Sequence, residues 1–196
     1  MKYKNIVFDY GNVVGRFNGS YILDQFCSSE EDRDMLASIV YSGWAELDRG
    51  TVDYDEYAEA AVARVPERLK EVTRTFFREW PRHVIPLEDT IRFIRELKSA
   101  GTPVYLLSNA PTCFAEWAKA EGMTDMFDGV VFSAPIKMAK PDPDIYRYLF
   151  EKYTLKPEEC FFIDDLKENI EAGRALGMDG IVFTGDIDAV KAAVGF

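Results

Sequence analysis

Four segments of this 196-residue chain carry groups able to do chemistry, three of them at the end of an apolar run. Ile6-Val7-Phe8 stops at Asp9 and breaks into Tyr10-Gly11-Asn12. A buried strand that ends on an Asp before a Gly-Asn turn aims the carboxylate outward, because so tight a turn selects residues that tolerate unusual dihedrals. Asp9 is therefore the first candidate for a reacting group. Val104-Tyr105-Leu106-Leu107 leads into Ser108-Asn109 and then Pro111, which starts a helix. A hydroxyl beside free helical N–H groups makes a site for an anion. Lys140 precedes Pro141-Asp142-Pro143-Asp144, where the prolines restrict the backbone and begin the next helix. A Lys on such a turn can neutralise a phosphate and a nucleophilic carboxylate together. Phe161-Phe162-Ile163 ends in Asp164-Asp165, with Asn169 one helical turn on. Adjacent carboxylates there repel each other unless a cation is present, and hard oxygen ligands suit Mg2+ better than zinc or copper. Taken singly, each segment also has a purely structural reading: a turn cap, a plain strand-to-helix turn, a solvated lysine, and an acidic helix start.

The elements that position these groups follow from periodicity. From Pro86 onward, helical patterns alternate with short apolar runs. Helix Glu88 to Ser99 precedes Pro103 to Leu107, and a helix over 112–121 precedes Val130 to Phe132. A helix over 143–153 precedes Cys160 to Ile163, and one over 167–176 precedes Gly180 to Phe183. This rhythm predicts repeated βα units and a mainly parallel sheet that includes a first strand Asn5 to Phe8. Between Gly15 and about Ile85 the pattern is helical and charged, with no convincing strand; Gly50 closes one helix and the Asp53-Tyr54-Asp55-Glu56 box opens the next. Ligands of open α/β sheets bind outside the carboxyl ends of the strands, so an insertion leaving just after Asp9 would sit over that crevice as a lid.

Composition narrows the partners. The 47% hydrophobic content is enough for a packed interior. With 34 acidic against 23 basic residues the formal charge is -11, which repels nucleic acid and anionic membranes. No apolar run reaches membrane-spanning length, and the stretch after Met1 is too short for a signal sequence. Cys27, Cys113 and Cys160 are odd in number and lack metal-site spacing, which reads as reduced structural thiols of a cytoplasmic protein.

Taken together and in this order, the four segments resemble the motifs of the haloacid dehalogenase superfamily, over nearly the whole chain. Phe8-Asp9-Tyr10-Gly11-Asn12-Val13 looks like a Gly-Asn variant found in some phosphatases of the group, and the helical insertion looks like their cap. The resemblance implies an α/β fold: a Rossmann-like doubly wound parallel sheet core, residues 1–14 and 86–196, with an all-helical cap, residues 15–85. It implies Asp9 as the nucleophile that accepts a phosphoryl group. Ser108 and Lys140 would be catalytic and, with Asn109, phosphate-binding. Mg2+ would be held by Asp9, the Gly11 carbonyl, Asp164 and Asp165, with Asn169 orienting the acidic pair.

The expected function is a Mg2+-dependent phosphatase acting through an aspartyl phosphate on a small soluble phosphorylated metabolite, such as a sugar phosphate. Two alternatives stay open: a 2-haloacid dehalogenase, in which the same Asp attacks carbon, and a catalytically weak phosphate-ester-binding protein. The second is motivated by Gly11, where most phosphatases of the family carry a second Asp that serves as general acid and base. Arg16, Asn18, Glu46 and Asp48 are candidate substitutes, and Arg16 and Asp48 also read as plain surface charges. Lys137 stands where relatives often have Gly, and either adds charge near the phosphate or points to solvent. Trp44, Tyr54 and Trp80 either line a pocket or pack in the core. Oligomeric state is open.

Overall fold

The computed structural model describes all 196 residues. Its strands are β1 (Asn5–Phe8), β2 (Gly15–Arg16), β3 (Ile85–Pro86), β4 (Val104–Ser108), β5 (Gly129–Phe132), β6 (Cys160–Asp164) and β7 (Asp179–Val182). The insertion carries α1 (Gly19–Asp24), α2 (Glu30–Val40), α3 (Trp44–Arg49), α4 (Tyr54–Arg64) and α5 (Lys70–Glu79). The rest of the chain adds α6 (Glu88–Ser99), α7 (Thr112–Ala120), α8 (Ser133–Ile136), α9 (Pro143–Tyr153), α10 (Lys167–Ala175) and α11 (Ile187–Val194). Each strand and helix expected beyond Pro86 forms, with ends displaced by a residue at most.

Five strands make one sheet in the order β5-β4-β1-β6-β7, and every ladder in it is parallel. The first strand is central, so the winding reverses beside it and a crevice opens at its carboxyl end. Along β1, the two-residue period sends Ile6 and Phe8 to one face and Val7 to the other. The first face packs α6, α7 and α11 through Ile94, Phe114 and Val190, and its apolar cluster continues into the insertion through Ile22, Leu36, Phe76 and Trp80. The second face packs α9 and α10 through Ile145, Tyr146, Leu149 and Ile170. Covering both faces is what makes these strands read as continuous apolar runs.

The insertion differs from its reading in one respect. β2 and β3 pair antiparallel, Gly15 with Pro86 and Arg16 with Ile85, and so tie together the two ends of the insertion. A two-residue strand has no period to read, and its partner lies at the far end of the inserted segment. The expected caps do form. Gly50 closes α3 in a left-handed conformation, and the Asp53 carboxylate accepts the Asp55 and Glu56 N–H groups at the start of α4.

The end of α3 is docked against α8. Ser133 Oγ donates to the Asp48 main-chain oxygen, and Arg49 ion-pairs Asp142 just ahead of α9. A Cβ on Gly50, at φ +70, would lie 2.2 Å from the Ala134 carbonyl oxygen. Gly50→Ala should therefore cost about 2–4 kcal/mol, a left-handed backbone term of about 1–2 plus overpacking. Gly101→Ala, at φ +77 with nothing within 4 Å, should lose the backbone term alone. Urea midpoints of the two variants measure the difference; equal midpoints would mean that α3 moves freely off α8.

Candidate active site

Asp9 directly follows β1, and its N–H donates to the Ile163 carbonyl of β6 at 2.9 Å, so the ladder runs one residue beyond the strand. The register pairs Phe8 with both Leu106 and Ile163. Asp9 is thereby set between Ser108, the last residue of β4, and Asp164, the last of β6, and all three are buried. The Tyr10 N–H donates to Asp9 Oδ1 at 2.7 Å, and Lys140 Nζ ion-pairs the same oxygen at 2.8 Å. Neither touches Oδ2.

Lys140 is far from solvated: the residue is 4% exposed. Its Nζ donates to Asp164 Oδ2 at 2.7 Å and to the Leu107 carbonyl at 2.9 Å, besides the Asp9 contact. All three ammonium protons are engaged. Here Lys140 is the counter-charge of two acids, and a phosphoryl oxygen would have to draw a donor away from one of its three acceptors. The Asn109 side chain is engaged too. Its Oδ1 accepts the Lys140 N–H and its Nδ2 donates to the Lys140 carbonyl, both at 2.8 Å, so its amide fixes the Lys140 loop.

Asn169 Nδ2 donates to both oxygens of Asp164 at 3.0 Å, so it orients that acid and not the pair. Asp165 is held instead by Asn12 Nδ2 at 3.1 Å. Asn12, at φ 54, also accepts the Phe17 N–H. The sequence reading did not assign it a role, although the Gly-Asn turn was the signal: only a residue at ease in the left-handed region reaches both groups.

Asp9, Asp164 and Asp165 can each bring a carboxylate oxygen within 4.8 Å of the other two. Three carboxylates against the one Lys140 ammonium leave two negative charges uncompensated. An all-oxygen donor set with that surplus fits a hard divalent cation such as Mg2+. Burial raises the Asp9 carboxyl above the usual carboxylate range, with Lys140 opposing and the Asp164 charge adding. Burial raises Asp165 as well, partly offset by the Asn12 hydrogen bond. Burial alone would lower Lys140, but Asp9 and Asp164 outweigh it and hold the ammonium charged.

These groups floor a cleft of about 350 Å³ whose walls include Phe17, Trp44, Trp80, Val84 and Phe114. Trp80 stacks on Phe114 at 5.5 Å, with Phe17 and Trp44 edge-on or tilted around it. Tyr54 packs instead in the insertion, where its hydroxyl donates to the Phe77 carbonyl and accepts from Trp80 Nε1. Of the four candidates to replace the acid missing at Gly11, Arg16 is exposed in an adjoining groove that it lines with Glu88 and Asp89 and that shares Asn12 and Asp165 with the cleft, Asn18 caps α1, and Glu46 is exposed. Only Asp48 borders the cleft. Burial pushes its carboxyl up to about 7, with the Asp9 charge adding and Lys140 opposing. Lys137 is exposed outside the cleft, in the left-handed position that ends α8, a conformation suited to Gly. The three cysteines form no disulfide and none borders the cleft. No helix is long and apolar enough to cross a membrane.

The chain is similar to known proteins in sequence and in fold. The chain is 29% identical over 184 residues to the sesquiterpene phosphatase astK of Aspergillus oryzae, covering 93% of this chain and 90% of that one. It is 26% identical over 191 residues to the D-ribitol-5-phosphate phosphatase of Bacteroides thetaiotaomicron, covering 90% and 89%. In fold it matches a HAD family enzyme of Bacteroides thetaiotaomicron, solved as an Asp-to-Ala mutant with magnesium and inorganic phosphate. The TM-score is 0.74 at 20% identity, with 96% and 98% of the two chains covered. Residues 3–177 match the family model of the haloacid dehalogenase-like hydrolases, which is most of the chain, and the protein belongs to that family of enzymes.

Proposed function

We propose that this hydrolase is a Mg2+-dependent phosphatase in which Asp9 Oδ2 attacks the phosphorus of a monoester. The observation that carries the reading is the placement of Asp9 between the Lys140 ammonium and the Asp164–Asp165 pair. Asp9, Asp164, Asp165 and the Gly11 carbonyl would hold Mg2+, which when bound supplies positive charge to offset that of the phosphoryl group. The chain's own groups do the rest. Tyr10 N–H and Lys140 fix Asp9 through Oδ1 and leave Oδ2 in line for attack. Ser108, buried beside them, offers a hydroxyl to a phosphoryl oxygen, and Asn109 and Asn169 keep Lys140 and Asp164 in register. Displacement at phosphorus gives an aspartyl phosphate and splits hydrolysis into two easier steps.

The insertion, residues 15–85, serves as the cap, and its aromatic side chains, with Phe114 of α7, select the alcohol. Away from the floor, Phe17, Trp44, Trp80 and Phe114 offer stacking and apolar contact but few groups to pair with sugar hydroxyls. They favour a phosphomonoester of an apolar or aromatic alcohol over a sugar phosphate. Phosphate release from prenyl, aryl, polyol and sugar monoesters tests this, each with Mg2+ and with excess chelator. Expected is release that disappears with chelator, returns with Mg2+, and is at least tenfold faster in kcat/KM for the apolar esters. Preference for the polyol or sugar esters would overturn the specificity reading alone. Halide release from a 2-haloacid in chelator, with no phosphate release, would replace the mechanism by attack at carbon.

A further inference from the structure

A phosphomonoester of an alcohol leaves a poor alkoxide unless a proton reaches the bridging oxygen as the P–O bond breaks. The acids at the strand ends are not free to provide it. Asp9 is the nucleophile, Asp164 is bonded to Lys140, Asn169 and the Leu166 N–H, and Asp165 is bonded to Asn12. The single histidine, His83, packs its ring on Phe26. Asp48 is different: its Oδ1 is buried and has no hydrogen-bond partner.

Its position suits the task. In-line displacement places the leaving oxygen opposite the nucleophile, so an ester attacked by Asp9 from the floor directs its alcohol toward the insertion. Asp48 borders the cleft from that side, and its main chain is anchored. Ser133 Oγ holds the Asp48 carbonyl, Arg49 pairs with Asp142, and Gly50 closes on Ala134. Gly11, meanwhile, leaves open the place beside the nucleophile: a Cβ there would meet only Asp9 Oδ2, at 3.9 Å.

We propose, building on the phosphatase reading, that Asp48 is the general acid and base of this enzyme, supplied by the inserted helix α3 in place of a side chain at position 11. In the first step Asp9 Oδ2 bonds to phosphorus, the P–O ester bond breaks, and the Asp48 proton passes to the departing oxygen to release the alcohol. In the second, the Asp48 carboxylate takes a proton from water as the water oxygen bonds to phosphorus. The Asp9 O–P bond breaks, and phosphate leaves with Asp48 protonated again. The charged groups that act on Asp48 are Asp9 and Lys140, and Asp165 lines the same cleft. A carboxyl raised toward neutrality, as this one is, can both give and take a proton.

The test compares wild type, Asp48→Asn and Gly11→Asp/Asp48→Asn on an alkyl phosphate and on 4-nitrophenyl phosphate, whose leaving group departs without a proton. Thermal unfolding checks that each variant folds. For Asp48→Asn we expect kcat/KM on the alkyl ester to fall about 10²–10⁴-fold, and on the nitrophenyl ester less than tenfold. The nitrophenyl ester should also give a burst of one equivalent of nitrophenolate, because dephosphorylation of Asp9 now lacks its base. The wild-type alkyl rate should fall at alkaline pH as Asp48 loses its proton, and the variant should lack that limb. Gly11→Asp in the double variant should restore alkyl turnover at least tenfold. Equal losses on both esters, or none, would overturn the role of Asp48 while leaving the phosphatase reading intact. No phosphate release by the wild type from either ester would overturn both.

Discussion

Asp9→Asn should abolish turnover, lowering kcat by about 10⁴-fold or more, because an amide neither attacks phosphorus nor leaves as a carboxylate. The substitution is nearly isosteric at a residue only 7% exposed, so the fold has little reason to fail. It also removes one of three clustered carboxylates that face a single ammonium. In metal-free buffer the variant should therefore unfold at a temperature no lower than the wild type. Loss of activity joined to retained stability separates a nucleophile from a structural acid. An Asn variant that kept wild-type phosphate release would remove Asp9 from the reaction.

Lys140→Met should harm both stability and activity. It deletes the ammonium that touches Asp9 at 2.8 Å, Asp164 at 2.7 Å and the Leu107 carbonyl at 2.9 Å, and leaves two buried carboxylates without a counter-charge. Removing one partner of a buried ion pair costs about 3–5 kcal/mol, a large share of the roughly 5–15 kcal/mol that holds a domain folded. Lys140→Arg should not rescue it, since a planar fork cannot replace a compact ammonium whose three protons point to three acceptors. Denaturant melts with and without Mg2+ provide the check. The cation should raise the midpoint of Lys140→Met more than that of the wild type, because it supplies charge that the variant lacks. Equal increments would mean that Lys140 and the cation do not share the same acids.

The sequence by itself determined the alternation of strands and helices, the ends of most of them, and the presence of Asp9, Ser108 and Asp164 at strand ends. These are local matters: a two-residue or 3.6-residue period, a Gly or Pro at a boundary, and a polar residue closing an apolar run. The burial of Lys140 is of another kind. Its own segment looks like a turn that leaves a lysine in solvent, and its ammonium is drawn inside by two acids on β1 and β6, brought together by a strand order that no segment encodes. The same holds for Asn109, whose partner is the Lys140 main chain, and for the short β2–β3 ladder closed across the whole insertion. Asp48 shows the limit most clearly. The chain offered four substitutes for the acid missing at Gly11, and the docking of α3 on Ser133, Ala134 and Asp142 brought one of them to the cleft. Periodicity and turn chemistry report how each residue meets its neighbours in the chain. Which charges face each other across a cleft depends on contacts between distant segments, and only the tertiary structure decides those.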